Sequence, residues 1–360
     1  MRSSISTDVG YRLTRLGVIM RADPDSPFEV EGVLNPASGR TPDGRLWLLP
    51  RLVAEGNVSR VGLAEVIVEN GVPVGVRRDG VVLAPDAGWE RSHEHAGVED
   101  PRTTWIPSLG VHVMTYVAFG PFGPKPALAV SDDLRQWRRL GPMHFDYQPD
   151  LDADLNLFAN KDVVWFPEPV PAPDGTLAYA VVHRPLWDLG FTRGGGTEVV
   201  MPAGVTDPRP GMWISYVPVA TVKADLAALT HVRQHRPLAL PHYEWETLRI
   251  GAGPPPLRVE QGWLLIHHGV SGRISDGFAR QKHAHYSAGA MLLDAADPSV
   301  VLARTAEPLL APETVDEMSG TVPNVVFPTA IEEIDGQHFV FYGMADSSIG
   351  VARLDDVGNE

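Results

Sequence analysis

The chain contains no cysteine. That excludes disulfides and thiolate chemistry and fits a reducing compartment, so a cytoplasmic location is expected. No apolar run approaches the eighteen or so residues that a membrane helix needs. The first twenty residues hold only the short run Leu16-Gly17-Val18-Ile19-Met20, without a cleavage-like small-residue site. Neither a secretion signal nor a membrane partner is expected. Positive charge is in the minority: 30 Lys and Arg stand against 45 Asp and Glu, a formal charge of -15. With no basic stripe interleaved with aromatics, nucleic acid is an unsuitable partner. Helical periodicity is scarce. Its best stretch, Val222 to Leu229, makes only about two turns, which disfavours an α/β architecture with crossover helices.

What the chain does have is β signal. Its 35 glycines and 33 prolines punctuate short runs rich in Val, Leu, Ile, Tyr and Trp. Five of these runs follow a polar or glycine anchor: Asn35 before Leu46-Trp47-Leu48-Leu49, Asp100 before Val111 to Val117, Asp162 before Val163-Val164-Trp165-Phe166, Gly251 before Trp263 to Ile266, and Asn324 before His338 to Tyr342. The anchors lie 65, 62, 89 and 73 residues apart, room for four strands and their loops. Short alternating tails recur at Val61 to Ala64, Ala127 to Leu134, Met212 to Tyr216 and Ile349 to Leu354. Repeats of this kind predict an all-β fold, a five-bladed β-propeller with a central active-site channel, in preference to a β-sandwich. Residues 1–360 are expected to form one catalytic domain, with a short N-terminal extension over about 1–25.

The densest chemistry sits in Gly97-Val98-Glu99-Asp100-Pro101-Arg102, two carboxylates and a guanidinium at a strand mouth. Side chains alternate in a strand, so one acid should enter the channel while the other braces a neighbour. Cleaving a glycosidic bond requires a proton donor, and inverting hydrolysis a second carboxylate to activate water. If cations replace that second carboxylate, the pocket can hold an anionic nucleophile. Arg51, Lys161, His183-Arg184 and His267-His268 recur at equivalent unit positions and make a plausible phosphate seat. His93-Glu94-His95 and His283-Ala284-His285 invite a metal reading, but the chemistry requires none, so no metal or cofactor is expected. Trp187, Trp213, Trp245 and Trp263 are divided between sugar stacking and packing.

The segments Gly97 to Arg102, Asn160-Lys161-Asp162, His183-Arg184-Pro185, Ile250-Gly251-Ala252-Gly253-Pro254-Pro255-Pro256, Gly262 to Gly269, Tyr286 to Ala290 and Val322-Pro323-Asn324-Val325-Val326-Phe327-Pro328 together resemble glycoside hydrolase family 130. The resemblance runs from about Asn35 to Asp346. It implies inverting phosphorolysis of β-mannosides to α-mannose 1-phosphate, with inorganic phosphate as co-substrate and an oligosaccharide as partner. Asp100 matches the general acid, which is thought to act through the 3-hydroxyl of the mannosyl unit. Arg51, Lys161, Arg184, His268 and Tyr286 match the phosphate-holding set, and Asn35 and Asp346 match contacts to mannosyl hydroxyls. Glu99, Arg102, Asp162 and Asn324, at the strand mouths, join the substrate contacts, as does Glu246. His267 and Pro50 depart from the common pattern, and residues 186–210 and 271–285 form insertion-like excursions. An inverting β-mannosidase is the alternative, with Glu244 and Glu246 supplying acids, and a non-catalytic sugar-binding propeller is a third reading. Linkage, 1,2 or 1,4, acceptor sugar and homo-oligomeric assembly depend on loops that these motifs do not reach.

Overall fold

A computed structural model describes residues 5–92, 95–121, 123–187, 199–274 and 281–357. It is nearly all β, with two short α-helices, Val219–Ala224 and Val315–Met318, among the described residues. No helix there is long and apolar enough to cross a membrane.

Twenty of the described strands fall into five four-stranded antiparallel units, and the short strands His144–Phe145, Val170–Pro171 and Leu257–Val259 add to the third and fourth. The first comprises Gly32–Arg40, Leu46–Ala54, Val58–Glu69 and Val72–Leu83; the second Ala96–Ile106, Val111–Gly120, Gly123–Ser131 and Arg138–Pro142. The third comprises Ala159–Trp165, Leu177–Leu186, Met212–Pro218 and His231–Ala239; the fourth Arg249–Ala252, Gly262–Arg273, His283–Leu293 and Val301–Arg304. The fifth runs Val326–Ile334, Gln337–Met344, Ser348–Asp356, and its outermost strand is Tyr11–Arg21. The segment expected as an N-terminal extension is therefore part of the sheet, pairing Tyr11 with Asp356 and Arg21 with Ser348. Units one and two merge into one sheet through a short parallel contact of Val58 with Ala96 and Ser59 with Gly97. Only glycine fits there: Gly97 has φ 129° and a Cβ would lie 2.3 Å from the Ser59 carbonyl oxygen.

The unbroken apolar runs of the second strands follow from burial on both faces. In the first unit Trp47 and Leu49 pack with Met114 and Tyr116 of the second, while Leu46 and Leu48 pack with Phe339 and Phe341 of the fifth. The remaining cores join the second unit to the third around Trp165, the third to the fourth around Trp263, and the fourth to the fifth around Leu264 and Val340. Each fully buried Leu or Phe contributes roughly 1.5–3 kcal/mol to these seams.

The stretch expected to be helical over Val222 to Leu229 is broken. Asp225 is extended, at φ -153°, and its carboxylate caps a separate 3-10 turn at the Ala227 N–H. Asp favours such a cap over a helix interior because its side chain competes for backbone donors. Trp187, Trp213, Trp245 and Trp263 are all buried, which removes them from sugar stacking.

Candidate active site

The first strands of units one, two and three share a local distortion. Register shifts fall between Leu34 and Ala37, Glu99 and Arg102, and Lys161 and Val164. Inside each sits a non-glycine residue in left-handed conformation: Asn35 at φ 43°, Asp100 at 47° and Asp162 at 54°. Asn and Asp tolerate that region best, so the anchors read from sequence are bulge residues. The fourth unit differs: Gly251 stays in register opposite His268, and Asn324 of the fifth lies before its strand, at φ 61°.

The bulge overturns the expectation that Glu99 and Asp100 point apart. Arg51 donates from Nη2 to Glu99 Oε1 at 2.9 Å and from Nη1 to Asp100 Oδ1 at 3.0 Å. Lys161 Nζ lies 3.7 Å from both carboxylates. Asn35 donates from Nδ2 to Asp100 Oδ1 at 2.8 Å, and Ser59 Oγ accepts from Arg51 Nε at 2.8 Å. Left-handed backbone at Asp100 cancels the strand alternation, so both acids reach the same two cations. Burial pushes the Asp100 pKa up, but Arg51, Lys161 and Asn35 more than offset this and hold it well below the carboxylate range. Asp346 reaches the same cluster from the fifth unit, on two successive left-handed residues, Ala345 at φ 47° and Asp346 at φ 50°. Burial, reinforced by Asp100 and Glu99 and opposed by Arg51 and Lys161, lifts its pKa to about 6.

That shift has a thermodynamic sign. The folded chain holds the Asp346 proton more tightly than the unfolded chain between about pH 4 and 6, so stability falls as pH rises through that window. Asp346→Asn is expected to melt at a higher temperature than wild type at pH 7, the gain vanishing below about pH 4; thermal melts across pH 3.5–8 check it.

A second cluster centres on Asp162. Its Oδ2 accepts from Arg184 Nε at 2.6 Å and lies 3.5 Å from His268 Nε2, and its Oδ1 accepts from Arg102 Nη2 at 3.2 Å. Burial works against its charge, but the Arg184 and Arg102 guanidiniums prevail and keep it ionised. Arg102, expected as a substrate contact, is buried and also donates to the Gly253 and Ala252 carbonyls at 2.9 and 3.0 Å, so it positions Asp162 and the fourth unit. His268 is kept neutral by burial and the nearby guanidiniums, and neither ring nitrogen has a hydrogen-bond partner in the chain. Arg184 Nη1 is likewise buried and unpartnered, as is Arg249 Nε. Tyr286 OH accepts from Arg249 and donates to Gln281. Arg249 was missed by sequence reasoning, although it directly precedes Ile250-Gly251.

Other expected site residues have structural partners. Glu246 is buried, accepts from His267 Nε2 at 2.9 Å and Arg304 Nη2 at 2.5 Å, and caps the His242 and Tyr243 N–H groups. Burial alone would raise its pKa, yet His267 and Arg304 lower it to about 2, a poor base. Glu244 is exposed. Asn324 contributes its backbone carbonyl to the Tyr286 N–H at 2.9 Å. His183, grouped by sequence with the cations, belongs to a buried chain crossing the third unit. His235 Nε2 donates to the Asp146 carbonyl at 2.9 Å, which leaves its Nδ1 to accept from the Ser215 hydroxyl at 2.8 Å. Ser215 Oγ then accepts from His183 Nε2 at 2.8 Å, and His183 Nδ1 accepts from the Asn160 amide at 3.0 Å. Burial and His235 hold His183 well below its ordinary pKa, so it carries no charge toward an anion. His283 and His285 are exposed, while His93 and Glu94 lie outside the described residues, as do 188–198 and 275–280 of the two excursions.

The model of a family described as beta-1,4-mannooligosaccharide phosphorylase, glycoside hydrolase family 130, matches residues 33–358. The chain belongs to glycoside hydrolase family 130. Among its relatives, the 1,2-beta-oligomannan phosphorylase of Thermoanaerobacter sp. (strain X514) is 32% identical over 302 residues, 83% of this chain and 79% of that protein. The beta-1,2-mannobiose phosphorylase of the same strain is 31% identical over 304 residues, 83% of this chain and 78% of that protein. The fold is that of the Listeria innocua beta-1,2-mannobiose phosphorylase in complex with beta-1,2-mannobiose, at TM-score 0.69 and 21% identity over 97% of both chains. A further solved structure, at TM-score 0.66 and 22% identity over 98% of this chain and 95% of that chain, comes with the statement that the family of mannoside phosphorylases contains glycoside hydrolases that target β-1,2 mannosidic linkages in Candida mannan.

Proposed function

We propose that this family 130 enzyme catalyses inverting phosphorolysis of β-mannosides, with Asp100 as general acid and inorganic phosphate as nucleophile. The observation that carries the reading is the set of buried, unpartnered nitrogens on Arg184, Arg249 and His268 beside Tyr286: two guanidinium N–H donors and one imidazole N–H without acceptors, in a positive setting that suits phosphate. A hydrolase needs a carboxylate base for water instead. Glu246 is locked by His267 and Arg304, and Glu244 is exposed, so neither fits that role. The hydrolase alternative rests on the solved relative alone.

Asp100 is ionised in the free site, whereas an acid must arrive protonated. An anion drawing on Lys161 and Arg51 weakens their hold on the Asp100 charge and raises its proton affinity, so nucleophile binding and protonation support each other. Asn35, Glu99 and Asp346 then surround the mannosyl hydroxyls. The 302- and 304-residue alignments to relatives named for β-1,2-linked substrates support a β-1,2 linkage. The five seams, closing from the fifth unit back onto the first, support a single five-bladed propeller with this site at its axis.

The test is incubation with β-1,2-mannobiose, β-1,4-mannobiose and mannosyl-glucose, with and without phosphate, assaying mannose 1-phosphate against free mannose. Phosphate-dependent mannose 1-phosphate is the expected result; free mannose at equal rate without phosphate overturns it. Arg249→Gln is expected to raise the KM for phosphate roughly tenfold or more, the loss of one charged hydrogen bond, while the KM for mannobiose stays within about twofold. Initial rates at varied phosphate and varied mannobiose measure both.

A further inference from the structure

Buried polar atoms without a partner in the chain are scattered over the described residues, Thr103 Oγ1, Trp165 Nε1 and Ser348 Oγ among them, but two groups of such atoms stand together. One is the site above. The other is the outer edge of the third unit, where Gln148 Oε1, Arg233 Nε and Gln234 Oε1 belong to residues lining one cleft of about 410 Å³.

The local backbone explains the cleft. In the pairing of Met212–Pro218 with His231–Ala239, Ile214 faces Arg236 and Tyr216 faces Arg233, so Ser215 alone opposes both Gln234 and His235. Gln234 is the bulge residue, left-handed at φ 58°. The bulge lets His235 turn inward to Ser215 and the Asp146 carbonyl, which makes a fixed floor. Gln234 donates from Nε2 to Asp174 Oδ2 at 2.7 Å, and because a carboxylate only accepts, this fixes the amide with Oε1 left over. Tyr147, 59% exposed, lines the same cleft.

These groups select a ligand class. Asp146 and Asp150 match Arg233 and Arg236 in charge and Asp174 adds a third carboxylate against Gln234, so an anion is not favoured, while a bare cation offers no acceptor to Arg233. Two amide oxygens want donors and one guanidinium nitrogen wants an acceptor. Phosphate brings only one or two O–H donors together with a negative charge that this lining does not favour, and an apolar ligand serves neither. A hydroxyl group does both, and an exposed tyrosine ring suits the apolar face of a sugar. We infer that this cleft is a second saccharide site, remote from Asp100, that holds neutral oligosaccharide. That the sugar is a manno-oligosaccharide rests on the proposed function.

The experiment titrates β-1,2-mannohexaose into the Asp100→Asn protein, without phosphate, by calorimetry. Two sites per chain are expected, and one once Tyr147→Ala and Gln234→Ala are added. In the Asp100-intact enzyme the same pair should leave the KM for mannobiose within about twofold and raise that for mannohexaose several-fold. A single site before and after the added substitutions overturns the inference, as does unchanged KM for mannohexaose. Wild-type phosphorolysis of mannobiose is read in parallel: if it proceeds while only one site titrates, the second site falls and the functional reading stands.

Discussion

Asp100→Asn is expected to fold as the wild type does and to lose about 10³-fold in kcat/KM for phosphorolysis, within the range for removing a general acid. The amide oxygen can still accept from Asn35 Nδ2 and Arg51 Nη1, now 2.8 and 3.0 Å from the carboxylate, so the geometry survives while proton exchange does not. Glu99 remains to neutralise Arg51. Mannose 1-phosphate formation measured beside a thermal melt separates the two effects. Activity within about tenfold of wild type would remove Asp100 from the acid role and leave Asp346, whose pKa near 6 suits a proton carrier, as the group to test next.

The second large effect is expected at a residue with no functional group. A Cβ on Gly251 would stand 2.2 Å from Asp162 Oδ2, 2.5 Å from His268 Cε1 and 2.8 Å from His268 Nε2. None of these atoms ends a flexible side chain: Asp162 is tied to Arg102 and Arg184, and the His268 ring packs 4.4 Å, centroid to centroid, from Phe327. Gly251→Ala must therefore displace the carboxylate that orients Arg184. We expect at least about a 100-fold loss of kcat/KM, as for an ångström-scale misplacement, with roughly 1–3 kcal/mol of destabilisation from overpacking. Gly88→Ala, where an added methyl meets nothing, is the control and should change stability by less than about 0.5 kcal/mol. Near-wild-type rates in Gly251→Ala would mean that the Asp162 cluster is not needed where it stands.

The legible and illegible parts of the site divide along a physical line. Asp100, Arg51, Lys161, Arg184 and His268 announced themselves as charges beside apolar runs, and the structure brings them into two adjoining clusters. Glu246 and Arg102 gave the same signal but are occupied by His267, Arg304 and backbone carbonyls, which sequence spacing does not encode. Arg249 carried the signal too, yet only its approach to Tyr286 distinguishes it from other arginines. The tryptophans misled because a run buried on both faces and a sugar platform draw on the same residue.

By itself the sequence determined the all-β character, the five-fold recurrence of strand groups and many of the polar residues that the two clusters bring together. These depend on local properties: turn residues, strand-length apolar runs and the residue types that bear charge. Tertiary structure decided that Tyr11–Arg21 completes the last sheet, that Glu99 and Asp100 share Arg51, and which buried nitrogens remain free for a ligand. Each of those depends on a contact between residues tens to hundreds of positions apart, or on one left-handed φ that reverses the strand's alternation, and neither is written in any local pattern.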